Sequence, residues 1–109
     1  MRHLRLEDAL ETPVTHSPGI KKHVFTREPA ACVRHLSHVV LGLGDSAVAH
    51  SHEDGFEVFY CVGGEAVFRI NGEEVPLKGG DCIVVEPGDL HEIMPVAQRA
   101  ELFYFFALE

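Results

Sequence analysis

Apolar and polar positions alternate along much of the chain with a period of two, in short runs separated by Gly, Asn, Asp and Pro. Residues 56–62, FEVFYCV, put Glu57, Phe59 and Cys61 on one strand face and Val58, Tyr60 and Val62 on the other. Both faces are apolar, so both need cover. Gly63-Gly64 is expected to turn the chain into a strand at 66–70, AVFRI. Asn71-Gly72 is a two-residue hairpin signal, and 73–77, EEVPL, returns from it. Lys78-Gly79-Gly80-Asp81 turns into CIVVE, and Glu86-Pro87-Gly88-Asp89 bends the chain ahead of His91. A last strand, 100–107, carries four aromatics.

The first third follows the same pattern less regularly. Leu4, Leu6 and Leu10 stop at Thr12-Pro13, with a second stop at Ser17-Pro18-Gly19, which predicts a short strand and a turn of helix lying over a sheet. Residues 20–27, IKKHVFTR, alternate as a strand. Residues 31–44, ACVRHLSHVVLGLG, read as a strand interrupted near Gly42. One of its faces carries Arg34, Leu36, His38 and Val40, and the other His35, Ser37, Val39 and Leu41, so either His35 or His38 looks inward. Seven or more short strands with close turns and no long helical period predict an all-β antiparallel sandwich or barrel.

Composition narrows the function classes. A length of 109 residues fits one domain, 1–109, without repeat or linker, and 46% hydrophobic residues argue against disorder. No apolar run reaches the roughly 18 residues of a membrane span, and MRHLRLEDALE has no signal-peptide core. A formal charge of −8 disfavours nucleic acid. Cys32, Cys61 and Cys82 form no C-x-x-C pair, which fits a reducing compartment and gives the cytoplasm as the expected location.

Eight histidines are many for this length, and their placement carries chemistry. In 44–64, GDSAVAHSHEDGFEVFYCVGG, His50 and His52 lie two apart, so on a strand their imidazoles leave one face. Asp54-Gly55 reverses the chain and Glu57 opens the next apolar run, from which a carboxylate can reach the same centre. Imidazole plus carboxylate suits a divalent ion such as Fe, Mn, Ni, Co or Zn.

Gly44, His50, His52, Glu57 and Gly64 resemble the first motif of the cupin superfamily in residue type and spacing. Gly80-Asp81, an apolar strand, Pro87-Gly88 and His91 resemble the second, with Glu86 and Pro95 as departures and a short stretch, Glu65 to Gly79, between the motifs. The resemblance covers about residues 36–107, with 1–30 packing on the barrel, and VTHSPGIKK and VEPGDLHEI also resemble small stand-alone members. It implies a double-stranded β-helix, or jelly-roll barrel. In it His50, His52, Glu57 and His91 hold one divalent ion per subunit (Fe, Mn, Ni, Co, Cu or Zn), with two adjacent positions open. Glu57 is either a ligand or a carboxylate held back as a base. His38, Phe59, Cys61, Phe68, Phe103 and Phe105 are candidate pocket residues, with Ile83 beside them, and Cys61 and Cys82 are expected to be inert thiols. The implied function is a mononuclear metal oxygenase or dioxygenase-type enzyme acting on a small oxygen-bearing molecule. A non-redox isomerase, cyclase or lyase, and a non-catalytic small-ligand module, are the alternatives. The apolar side of Val58, Tyr60 and Val62 leads to a homodimer as the expected assembly.

Overall fold

The computed structural model describes residues 1–27 and 29–109. Among the described residues nine strands form one curled antiparallel sheet: β1 (Leu10–Val14), β2 (Ser17–Thr26), β3 (Val33–Leu41), β4 (Ala47–His50), β5 (Gly55–Ile70), β6 (Glu73–Lys78), β7 (Cys82–Val85), β8 (His91–Ile93) and β9 (Ala100–Leu108). The order is β1-β2-β3-β9-β5-β8-β4, with β6 and β7 also paired to β5. The antiparallel barrel expected from the alternation is present, in the jelly-roll form that the resemblance implies. A single 3-10 turn, Leu6–Asp8, precedes β1. Among the described residues no helix is long and apolar enough to cross a membrane.

The long strand β5 holds the barrel together. Its first part lies between β7 and β9, and its second part between β6 and β8. The sequence reading placed a turn at Gly63-Gly64, but pairing with β9 continues through both residues, Gly63 opposite Glu101 and Gly64 opposite Ala100, with a register shift between Cys61 and Gly63. The two glycines therefore make a bulge that lets one strand serve both sides of the barrel. Gly64 has φ +76°, and a Cβ there would lie 2.0 Å from the Arg99 carbonyl oxygen. The Asn71-Gly72 hairpin is formed as read, with φ of 50° and 84° and Ile70 paired to Glu73.

The N-terminal residues differ in placement. β1 does not lie over a sheet but adds to its edge, pairing Leu10 with Val24 and Thr12 with Lys22, while β2 pairs with β3. Backbone hydrogen bonds thus recruit the segment into the sheet. Inside the barrel Phe68 and Leu102 are fully buried and Leu77 almost so. Burial of each such side chain contributes about 1.5–3 kcal/mol. Phe59 packs edge-on against Phe68 with ring centroids 5.0 Å apart.

The bulge yields a paired test. Gly64→Ala combines a positive φ with a backbone clash and is expected to cost about 2 kcal/mol or more. Gly63→Ala, whose Cβ meets nothing within 4 Å, is expected to stay within about 1 kcal/mol of wild type. Denaturant midpoints measure both, and equal midpoints would show that the strand crossing does not need glycine at 64.

Candidate metal centre

His50 ends β4 and His91 opens β8, and the two are direct cross-strand partners with ring centroids 4.2 Å apart. His52 lies two residues beyond His50, past the strand end, yet its ring is 5.1 Å from that of His50 and 5.4 Å from that of His91. Glu57 comes from the start of β5, between Val85 of β7 and Phe106 of β9. Three strands and the loop between β4 and β5 thus deliver one donor each. The ligand atoms of His50, His52, Glu57 and His91 all lie within 4.8 Å of one another.

The donors are prepared for a cation. His50 Nδ1 donates to the Val48 carbonyl at 2.8 Å and His91 Nδ1 to the Asp89 carbonyl at 2.9 Å. A carbonyl only accepts, so each ring carries its proton on Nδ1 and turns a lone pair on Nε2 toward the centre. Glu57 Oε1 is 3.4 Å from His91 Nε2 and 3.7 Å from His52 Nε2. These three atoms are buried without a hydrogen-bond partner. Orphaned buried polar atoms are costly, and a divalent ion at their common point would satisfy them together. The donor set fits the implied metal.

A turn network aims His91. Asn71 accepts from the Leu90 N–H at 2.9 Å, and its amide donates to Asp89 Oδ1 at 3.0 Å. Asp89 Oδ2 accepts from the Glu86 N–H at 2.9 Å, and these bonds hold the Asp89 carboxyl below its ordinary pKa. The Gly88 N–H donates to the His52 carbonyl at 2.8 Å, tying the loop that carries one ligand to the loop before another.

In the metal-free cluster burial lowers the pKa of His50, aided by the nearby His91 and His16. Burial also opposes charge on His91, but the adjacent Glu57 carboxylate and the Asp89 carbonyl outweigh it, and its pKa is raised. The cluster lines a cavity of about 950 Å³.

Of the sequence-predicted pocket residues only Phe59 lines this cavity. Cys61 and Phe68 are buried in the core outside its lining, the Cys61 S–H donating to the Gly63 carbonyl at 3.3 Å, with burial raising the thiol pKa. His38 is on the outer sheet face, its Nε2 2.7 Å from Glu101 Oε2, because Ser37, Val39 and Leu41 take the interior of β3. Phe103 and Phe105 also point outward, since the buried Leu102 fixes the inward parity of β9 and gives Tyr104 and Phe106 to the cavity. His35 is the inward histidine of β3, with Nδ1 2.9 Å from Ser37 Oγ and a pKa lowered to about 4 by burial and nearby Lys22.

Sequence reasoning passed over His16 and Lys22. The β1–β2 turn stacks His16 on His50 at 4.2 Å, while the Ser17 hydroxyl donates to the Ser46 carbonyl at 3.0 Å. Lys22 Nζ stands 5.9 Å over the Tyr104 ring. Its charge suits a surface position, yet alternation puts Lys22 on one face with Ile20 and Val24, and the pairing of β2 with β3 turns that face inward.

A curled antiparallel barrel with three histidines and one glutamate gathered inside it defines a class of jelly-roll proteins able to hold a metal ion. The cupin domain family matches residues 37–104, and the chain belongs to that family. It is 40% identical over 60 residues to the oxalate-binding protein of Thermotoga maritima, covering 55% of this chain and 50% of that protein. It is 36% identical over 81 residues to the tetracenomycin polyketide synthase protein TcmJ of Streptomyces glaucescens, covering 62% of this chain and 54% of that one. The chain spans about half the length of these curated relatives. Among solved structures, a predicted oxalate decarboxylase from Thermotoga maritima matches with TM-score 0.86 and 25% identity, covering 99% of this chain and 100% of that one. KdgF from Halomonas sp. matches in fold, with TM-score 0.82, 19% identity and coverage of 100% and 94%.

Loss of one donor tests the centre. His50→Ala, His52→Ala and His91→Ala are each expected to lower bound metal at least about tenfold, measured by elemental analysis of protein purified without chelator or nickel affinity resin. Stoichiometric metal in all three variants would exclude the assignment. Acid should release the ion, because free imidazole titrates near pH 6.5 and ligation needs the neutral ring. Ligation depresses the folded-state pKa of the histidines, so the metal's stabilisation is present above their unfolded value and lost as pH falls. Metal-free His91, with its raised pKa, has the opposite sign: its contribution is full below the unfolded value and fades as pH rises. Chelator should therefore lower the melting temperature at pH 7.5 and have little effect near pH 5, and a chelator effect independent of pH would contradict this.

Proposed function

We propose that the protein is a metal-dependent enzyme of oxygenase type acting on a small oxygen-bearing molecule. The observation that carries this reading is the convergence of four donor atoms within 4.8 Å on the wall of an open cavity of about 950 Å³. A first-row dication bound there supplies Lewis acidity and, for Fe, Mn, Ni, Co or Cu, redox chemistry at positions the protein leaves free. The chain's own residues do the rest. Phe59, Tyr104 and Phe106 form an apolar wall that limits water around a bound molecule. The buried Glu57 carboxylate stands where it can hold the ion or take a proton from an acidic hydroxyl of the ligand. Three free cysteines, with Cys61 buried, fit a reducing cytoplasm.

An oxygen electrode tests the reading on protein loaded in turn with Fe, Mn, Ni and Zn and supplied with enediols, hydroxyketones and catechols. Metal-dependent oxygen uptake that Glu57→Gln lowers at least about tenfold is the expected result. Turnover without oxygen uptake, supported equally by Zn, would instead identify a non-redox isomerase, cyclase or lyase. One relative is named for binding oxalate, which favours a second reading, ligand binding without turnover. Tight saturable binding with no product from any metal form would establish it.

The outer face of the sheet bears on assembly. Val40, Tyr60, Val62 and Val84 are 41%, 43%, 50% and 53% exposed, and they run across β3, β5 and β7 on the side away from the cavity. An apolar face of this breadth needs cover in a soluble protein, and a second copy supplies a self-complementary one. A homodimer is the expected solution state, so light scattering should give a mass near twice 12.0 kDa. Tyr60→Glu should shift it toward the monomer while metal content is kept. A wild-type monomer at micromolar concentration would contradict the reading.

A further inference from the structure

The chain carries 17 acidic and 9 basic residues, yet Lys22, Arg27 and Arg34 all line the cavity. Their gathering at one cavity, Lys22 half-buried and Arg27 and Arg34 exposed, runs against the overall charge. Arg34 is occupied, with its Nη2 2.7 Å from Asp54 Oδ2 and its guanidinium 5.0 Å over the Phe106 ring. Lys22 and Arg27 make no ion pair among the described residues. Lys22 occupies the inward face of β2 between Ile20 and Val24, both buried, so its stem is fixed toward the cavity and its ammonium is partly withdrawn from water. Burial and the neighbouring Arg27 both lower its pKa, and Glu57 is its opposing charge. Two like charges brought close, Lys22 half-buried and Arg27 exposed, are stabilised by an anion between them.

The distance from this wall to the metal ligands is bridged by aromatic rings. Lys22 Nζ is 5.9 Å from the Tyr104 centroid, Tyr104 stacks on Phe59 at 5.2 Å, and Phe59 is two residues along β5 from Glu57. The cavity, at about 950 Å³, is near the upper end of the range for small-molecule sites. It has room for a carbon spacer between two polar heads.

We infer that the cavity takes a small two-headed anion, with one oxygen-bearing head at the His50, His52, Glu57 and His91 centre and a second, carboxylate-like head at Lys22 and Arg27 across the aromatic wall. The first head rests on the metal reading above, and the second on the cation pair. Lys22 and Arg27 are then specificity-determining residues. A merely structural Lys22, held by its contact with Tyr104, would leave ligand preference unchanged when substituted.

Two probes share a chelating head and a chain length and differ only at the far end: 2-oxoglutarate, with a second carboxylate, and 2-oxopentanoate, with a methyl group there. Titration calorimetry on the Ni²⁺-loaded chain is expected to show 2-oxoglutarate binding about tenfold more tightly, as a charge-assisted contact should give. Lys22→Met should bring the ratio close to one by weakening 2-oxoglutarate alone, and Arg27→Gln should reduce it part of the way. Nickel content at the wild-type level in each variant certifies the fold and the first head, and Lys22→Gln replaces Lys22→Met if the latter does not fold. Equal affinities in wild type, a ratio unchanged in the Lys22 and Arg27 variants, or bound Ni²⁺ with neither probe taken up would overturn the two-headed assignment while leaving the metal reading in place. A wild-type chain that holds no Ni²⁺ would overturn the metal reading, and the first head with it.

Discussion

Two imidazole nitrogens and a carboxylate oxygen are buried together at His52, His91 and Glu57 without a hydrogen bond among them. Such atoms normally find partners, because each unsatisfied one costs a substantial part of a small domain's stability. The surrounding chain nevertheless keeps them aimed at one point. His91 is held through Asp89, Asn71 and the Asn71-Gly72 hairpin, and the carbonyl of His52 through Gly88. Glu57 is fixed by strands on both sides. Order is imposed on the site by bonds made outside it, which is how a protein preorganises ligands for an ion that is held by them afterwards.

The long crossing strand is what makes this arrangement possible. Glu57 at one end of β5 and Ile70, the cross-strand partner of His91, at the other belong to a single element. A break at Gly63-Gly64 would have let the two ends move independently. The bulge there bends the strand without interrupting its pairing to β9, so the carboxylate and the histidine are tied through continuous backbone. The positive φ that the bend requires falls on Gly64, which adopts it without strain.

The candidate ligand cluster was legible because its chemistry is local: two histidines at strand spacing, a reversal, and a glutamate starting the next apolar run. The hairpin at Asn71-Gly72 was legible for the same reason. The pocket walls were not. On β9 the residues 103–106 are all aromatic, so alternation gives no parity, and only the burial of Ala100 and Leu102 beside Gly64 decides that Tyr104 and Phe106 look inward. His35 and His38 posed the same ambiguity on β3. Gly63-Gly64 reads as a turn in any local window, and the pairing that overrules it comes from residues near 100. His16 reaches the cavity because β1 and β2 extend the sheet, a long-range event, whereas Lys22 shares the alternating face of Ile20 and Val24 and only its charge speaks against the interior.

The distribution of charge then separates two kinds of positive group in the cavity. His35, with a pKa lowered to about 4 by burial and by Lys22, is neutral through the physiological range and serves as a hydrogen-bonding partner of Ser37. The ligand histidines bind a cation only when they too are neutral. The positive charge facing a ligand, apart from any ion, therefore comes from the Lys22 and Arg27 side chains rather than from imidazole. An ion held by the imidazoles would answer to acidity, while a charge as exposed as Arg27 answers to salt, which screens it more than a buried one.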